Sequence, residues 1–146
     1  MIYRVISNFS HDSVSLIKQL FSLAWWTKDR DLESINKMLQ GSVCVGARDS
    51  EGQLVGFARA ITDGVFKAII VDVIVDPEHR NRGVCRLLIE ALLEHEALSR
   101  VSDFELYCQP ELVSLYRKWG FQEAPNGVVF MRAGRGALQK RGINTT

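Results

Sequence analysis

A chain of 146 residues that is 47% hydrophobic, 24% charged and of net charge +1 is sized for one compact domain with its own core. This balance excludes a protein that binds nucleic acid or a membrane surface through bulk charge, and no apolar run reaches the length of a membrane span. Cys44, Cys85 and Cys108 are odd in number and far apart, which fits neither a disulfide framework nor a metal site and suits a cytoplasmic protein.

The opening, "MIYRVISNFSHD", lacks the apolar core of a secretory signal, and its β-branched residues 2–7 predict a first strand. Leu16, Ile17, Leu20, Phe21 and Ala24 recur at helical spacing and predict a helix over 12–24. After "WWTKDRD", Leu32, Ile35 and Leu39 mark a second short helix that Gly41 ends, with Asp31 placed to cap it. "SVCVGARD" and "LVGFARAITD" flank a Gly-containing turn and predict a hairpin. "VFKAIIVDVIV" is nearly continuous in apolar residues, as a strand covered on both faces would be, and Asp72 interrupts it.

Beyond Gly83, Val84, Leu87, Leu88, Ala91 and Leu92 form one helical stripe. "SDFELYC" predicts another strand. Pro110 then opens a helix whose apolar face is Leu112, Leu115, Tyr116 and Trp119, and Gly120 stops it. "GVVFMRA", residues 127–133, reads as a last strand. The order is β-α-α-β-β-β-α-β-α-β, one mixed α/β domain over residues 1–133 with helices on both faces of a central sheet. The tail, 134–146, has few apolar residues and is expected to be frayed and flexible.

The chemistry concentrates in "DVIVDPEHRNRGVCRLL". A strand that feeds a helix start presents unpaired backbone N–H groups and the positive end of the helix dipole, a ready anion site. Gly83 permits close backbone approach, and Arg80, Arg82 and Arg86 add charge suited to phosphate. A P-loop would need Gly-Lys-Ser/Thr and a dinucleotide fold G-x-G-x-x-G, and both are absent. Nucleic-acid binding fits poorly, because these arginines sit at one helix start with no aromatic stacking platform.

The same stretch resembles the acetyl-CoA-binding motif of the GNAT superfamily of N-acyltransferases. "V-x-P-x-x-R" is followed by R/Q-x-x-G-x-G/A, here Arg80-Asn81-Arg82-Gly83-Val84-Cys85. "SLYRKWGF", residues 114–121, is similar to the family's "L-Y-x-x-x-G-F" signature, and the element order matches too. Departures are Cys85 where Gly or Ala is usual, Asn81 where Gly is frequent, and Gln109 where Asn is commonest.

The resemblance implies direct acetyl transfer from acetyl-CoA to a primary amine of a small molecule or peptide, in a ternary complex. Its alternative is a CoA-binding sensor or interaction module without catalysis. The backbone of Val73, Ile74 and Val75 would hold the pantetheine, and residues Arg80, Asn81, Arg82, Gly83, Val84, Cys85, Arg86 and Gln109 would surround the rest of the cosubstrate. Tyr116 would be the proton donor to the leaving thiolate, although its place on an apolar stripe equally suits a core tyrosine. Asp72 is either an amine anchor or general base with a pKa raised by burial, or a structural partner of a backbone group or an arginine. Trp25 and Trp26 offer an aromatic wall for the acceptor, against the expectation that at least one packs on the core. Arg59 hints at an acceptor with a carboxylate. His79 is expected to be a solvated turn residue. Cys108 has no His placed near it in sequence to support a ping-pong route. A homodimer is implied by resemblance alone.

Overall fold

The computed structural model describes residues 2–142. It divides into two compact units, residues 1–106 and 107–146. In the first, the elements are β1 (Arg4–Ile6), α1 (Ser13–Phe21), α2 (Leu32–Gln40), β2 (Val43–Arg48), β3 (Leu54–Thr62), β4 (Lys67–Val75), α3 (Val84–Leu93) and β5 (Asp103–Leu106). The five strands lie in one sheet in the order β1-β2-β3-β4-β5. The first three pairings are antiparallel and the last, β4 with β5, is parallel. This is the expected mixed α/β fold.

The sheet's two faces are covered by different helices. Val14, Ile17, Leu20 and Phe21 of α1 and Ile35 of α2 pack with Cys44, Phe57 and Ile74 in one core cluster. On the other face α3 sits directly on the strands: a Cβ built at Gly56 would lie 2.8 Å from Val84 and 3.0 Å from Leu88. Gly56 is therefore a close-approach glycine that seats α3. Asp31 caps α2 as expected, its carboxylate accepting from the Ser34 amide at 2.7 Å.

Two irregularities in β4 position everything that follows. The β3–β4 register slips between Phe57 and Arg59, opposite Asp72. Asp72 itself has φ +54, a left-handed conformation inside a strand, so β4 bulges there. On its other side β4 pairs with β5 only from Lys67↔Asp103 to Ile70↔Leu106. Past Ile70, the segment Val71–Val75 has no strand partner on that edge among the described residues.

The second unit holds a 3₁₀ turn (Pro110–Leu112), α4 (Val113–Arg117) and α5 (Arg135–Lys140). The helix expected from Pro110 thus begins as 3₁₀ and becomes α-helical only at Val113, and Gly120, at φ +95, follows its end. The strand expected over 127–133 is not formed. Val128, Val129, Phe130 and Met131 are exposed at 58–86%, and Phe130 stacks on the Tyr107 ring at 4.6 Å. β-Branched composition favours a strand only where a neighbouring strand pairs with it. The tail expected to fray contains α5, and residues 143–146 lie outside the described part.

Candidate active site

The turn from β4 to α3 is fixed by local bonds. The Asp76 carboxylate accepts from the Glu78 amide at 2.9 Å and caps a 3₁₀ turn over Pro77–His79. Arg80 Nε donates to the Val75 carbonyl at 3.2 Å, so this arginine folds back on the strand end. Asn81 (φ +61) and Gly83 (φ +81) are both left-handed, a conformation that Asn tolerates and Gly adopts without cost. A Cβ at Gly83 would meet nothing within 4 Å. Its requirement for glycine is therefore conformational and not a matter of space.

Gly83 is the N-cap of α3 and offers no side-chain cap. The backbone bond that opens the helix is Leu87 N–H to the Gly83 carbonyl at 3.1 Å, so the positive end of the helix dipole lies at Gly83. Arg82 is exposed beside it. Arg86 is exposed, and its Nε donates to Glu90 at 2.8 Å one turn along the helix. Cys85 is half-buried and in no disulfide. A small thiol in the first helical turn takes helical dihedrals and replaces the usual Gly or Ala without strain.

His79 is not the solvated residue expected. Its side chain is only 12% exposed. Nδ1 lies 2.9 Å from the Tyr3 hydroxyl, and Nε2 lies 3.8 Å from an Asp49 carboxylate oxygen. Asp49 in turn organises the β2–β3 turn by accepting from the Glu51 and Gln53 amides. The β4–α3 turn is thereby tied to β1 and to the neighbouring hairpin, through partners too distant in sequence to be foreseen.

Asp72 corrects the expectation of a raised pKa. Its side chain is 6% exposed. One carboxylate oxygen accepts from Arg30 at 2.7 Å and from Arg59 Nε at 2.6 Å, and the other accepts from Arg30 at 3.2 Å. Burial pushes the carboxyl up, but the hydrogen bonds and charges of the two arginines outweigh it and hold it below the usual carboxylate range. A carboxylate so bonded favours the ionised form, and three of its roughly four acceptor sites are taken by the arginines. It is the arginine partner that the sequence left as its second reading. Arg59 also donates to the Ser42 hydroxyl at 3.0 Å, and the Arg30 guanidinium lies 5.3 Å from the centre of the Phe21 ring. Sequence reasoning names Arg59 and misses Arg30, which stands in an irregular stretch with no pattern to mark it.

Trp25 and Trp26, just upstream of Arg30, are 78% and 47% exposed and meet edge to face at 5.7 Å. Neither is a core residue, against the expectation for at least one. Val73 and Val75 are half-buried and Ile74 is buried at 3%, so Ile74 anchors the free edge while its backbone remains on it.

In the second unit, Tyr116 is 6% exposed and packs between Trp119 and Phe121, each with ring centroids 6.0 Å away. Gln109 precedes the Pro110 turn. Burial raises the Cys108 thiol above its ordinary value, and burial pushes Cys44 up to about 12. Neither is a ready thiolate nucleophile.

Comparison with known proteins agrees with this architecture. The acetyltransferase (GNAT) domain family matches residues 40–123, more than half of the chain. The chain is 32% identical over 127 residues to the uncharacterized N-acetyltransferase ycf52 of Porphyra purpurea, covering 84% of this chain and 72% of the algal one. It is 33% identical over 127 residues to the chloroplastic serotonin N-acetyltransferase 2 of rice, covering 82% of this chain and 63% of that protein. Among solved structures, a Xanthomonas campestris protein assigned to the GNAT family superposes with TM-score 0.77 at 29% identity, over 91% of this chain and 94% of that one. With the open β4 edge, the left-handed turn and the uncapped α3 start in one continuous segment, the chain belongs to the GNAT acetyltransferase family.

Proposed function

We propose that the protein transfers an acetyl group from acetyl-CoA directly to a primary amine of a small molecule or peptide. The observation that carries this reading is the unpaired edge Val71–Val75 leading without a break into the turn and the open start of α3. An extended pantetheine arm can pair with a free strand edge as another strand would. The pyrophosphate then meets the positive end of the α3 dipole at Gly83 and Val84, with Arg82 beside it. Val73, Ile74 and Val75 contribute backbone groups. In this proposal a backbone N–H of that edge also polarises the thioester carbonyl, whose oxygen gains charge as the amine attacks.

The acceptor must arrive as a neutral amine and lose a proton on attack. Asp72 is not assigned that proton, because it is held ionised by two arginines. Tyr116 keeps the role its signature implies, proton donor to the leaving CoA thiolate. Trp25 and Trp26 provide apolar and aromatic surface for the body of the acceptor. The rice relative is named for serotonin, an aromatic amine, and an aromatic acceptor is compatible with this pair. Self-association, implied by the resemblance, belongs to the proposal and is read by sedimentation. No helix of the described residues is long and apolar enough to cross a membrane. With three thiols in no disulfide, a reducing compartment, cytoplasm or plastid stroma, is part of the proposal.

The test is thiol release from acetyl-CoA across a panel of primary amines. Amine-dependent release is expected, and Tyr116→Phe is expected to lower kcat by about 10²-fold or more while acetyl-CoA binding holds. A protein that binds acetyl-CoA but shows no thiol release with any amine of the panel would favour the sensor reading instead.

A further inference from the structure

We infer that the acceptor carries an oxyanion group, carboxylate or phosphate, close to its amine, and that the Arg30–Arg59 pair receives it, with Arg30 as the exposed contact. This inference rests on the acetyl-transfer reading of the same site.

The cluster holds more cationic donors than it can use. Each guanidinium has about five N–H donors. Arg30 commits two to Asp72, and Arg59 commits one to Asp72 and one to Ser42. Two cations on one carboxylate leave a net positive charge at a partly buried place. Among the described residues no second carboxylate pairs with either arginine: Asp31 is turned to the α2 start, where it caps the Ser34 amide. Lys18, on α1, adds positive charge close by, its ammonium donating to the Arg30 carbonyl at 2.8 Å. An excess of positive charge at low local dielectric is favourable only to an anion.

The geometry gives that charge a direction. Asp72 pulls both arginines to the bulge of β4, next to Val73–Val75, where the thioester would lie. Arg59 is on the face that α1 and α2 cover, two residues from Phe57 of that core, and Asp72 reaches the same face through its bonds to Arg59 and to Arg30 of the α1–α2 loop. The Arg59 side chain is 15% exposed and the Arg30 side chain 32%. The first is an interior support, and the second is the member that solvent and ligand reach. Phe21, itself fully buried, lies beneath the Arg30 guanidinium, its ring centre 5.3 Å away. Trp25 and Trp26 stand on the same loop. A ligand with an apolar body, an amine and an adjacent oxyanion would engage all three features, whereas a purely cationic amine would meet repulsion.

Asp72 has a positioning role here. It holds the guanidinium groups in place and never meets the acceptor proton. That also accounts for a left-handed aspartate in a central strand: the conformation lets one carboxylate reach β3 and the α1–α2 loop together.

The experiment compares matched amines that differ only in the anionic group: L-tryptophan with tryptamine, L-phenylalanine with phenethylamine, and glucosamine 6-phosphate with glucosamine. Thiol release from acetyl-CoA is measured for the wild type, Arg30→Gln and Arg30→Lys, with acetyl-CoA binding followed separately. We expect the wild type to favour the anionic member of a pair by about tenfold or more in kcat/KM, the size of a charge-assisted hydrogen bond. Arg30→Gln should abolish that ratio mainly through KM, and Arg30→Lys should restore part of it. The carboxylate and phosphate arms identify which oxyanion is preferred. A wild type that acetylates the partners lacking the oxyanion as well or better overturns the inference and leaves acetyl transfer standing. An unchanged ratio in a folded Arg30→Gln overturns it too. Turnover of no amine at all overturns acetyl transfer itself, and the inference with it.

Discussion

The start of α3 and the Asp72 cluster lie at two places along one continuous segment and are built in opposite ways. The α3 start is made of backbone: two left-handed residues, an Asx-capped turn and a helix start with no side-chain cap, all within residues 76–87. The Asp72 cluster is made of side-chain charge, brought in from the α1–α2 loop, Ser42, β3 and β4. A backbone site is fixed by conformation, so its energy is insensitive to pH and it tolerates changes in neighbouring side chains. A charge cluster is strong only while every member is present and ionised. The first suits a ligand part that never varies, such as a pyrophosphate. The second suits discrimination among acceptors.

The largest effect that would sharpen this contrast comes from removing the hub. Asp72→Ala leaves two guanidinium groups without their carboxylate and places alanine at φ +54, and a loss of about 3–5 kcal/mol is expected in urea unfolding. A loss below about 1 kcal/mol would mean that the arginines repair themselves with solvent, as exposed pairs do. Asp72→Asn keeps the shape and the left-handed tolerance and removes the charge alone, so it should cost less than alanine.

The same variant tests the pH dependence. The folded pKa of Asp72 is lowered, so its ion pairs contribute stability that is fully present above the unfolded value, about 3.9, and is lost as pH falls through the folded one. The stability difference between wild type and Asp72→Asn should therefore be constant above about pH 5 and shrink in acid below about pH 4. A difference that instead grew on acidification would contradict a lowered pKa.

At the α3 start the expected cost is smaller and of another kind. Gly83→Ala meets no atom but forces a left-handed alanine, worth about 1–2 kcal/mol at any pH. It should weaken acetyl-CoA binding together with stability, whereas Asp72→Asn should leave that binding near normal. If Gly83→Ala bound acetyl-CoA normally, the turn would not be the phosphate cradle. The smallest effect is assigned to Arg86→Gln. Its exposed pair with Glu90 contributes only about 0.2–0.5 kcal/mol, so neither stability nor acetyl-CoA affinity should change by more than a few tenths of a kcal/mol. A large loss of affinity would show that Arg86 leaves Glu90 for the phosphate.

The same contrast separates what is legible in the amino-acid sequence from what is not. The α3 start is legible because it is contiguous: Val75, Pro77, Arg80 and Gly83 fall in one short string whose glycine and helical stripe have local meaning. The strands and helices of the first unit are legible for the same reason, since burial imposes periods of two and 3.6. Asp72 stands out because a carboxylate inside an apolar run demands a partner. Its partners do not, since nothing local ties Arg30 in an irregular loop to a bulge in β4, and the expected rise in pKa follows from counting burial without those charges. His79 is misread in the same way, with Tyr3 and Asp49 far away in sequence. The segment 127–133 fails for the converse reason. It has a strand's composition, but strand formation depends on a neighbour that composition does not supply.

The most direct test of the account is a thermal-unfolding titration with acetyl-CoA alone, run on wild type and Gly83→Ala. Binding to the native chain at a hundred times Kd adds about 2.7 kcal/mol, a rise of several degrees in Tm for a domain of this size. The account predicts that rise for the wild type and a marked reduction of it in Gly83→Ala at the same concentration. No rise in the wild type at millimolar acetyl-CoA would contradict the reading of the β4 edge and the α3 start as an acetyl-CoA site.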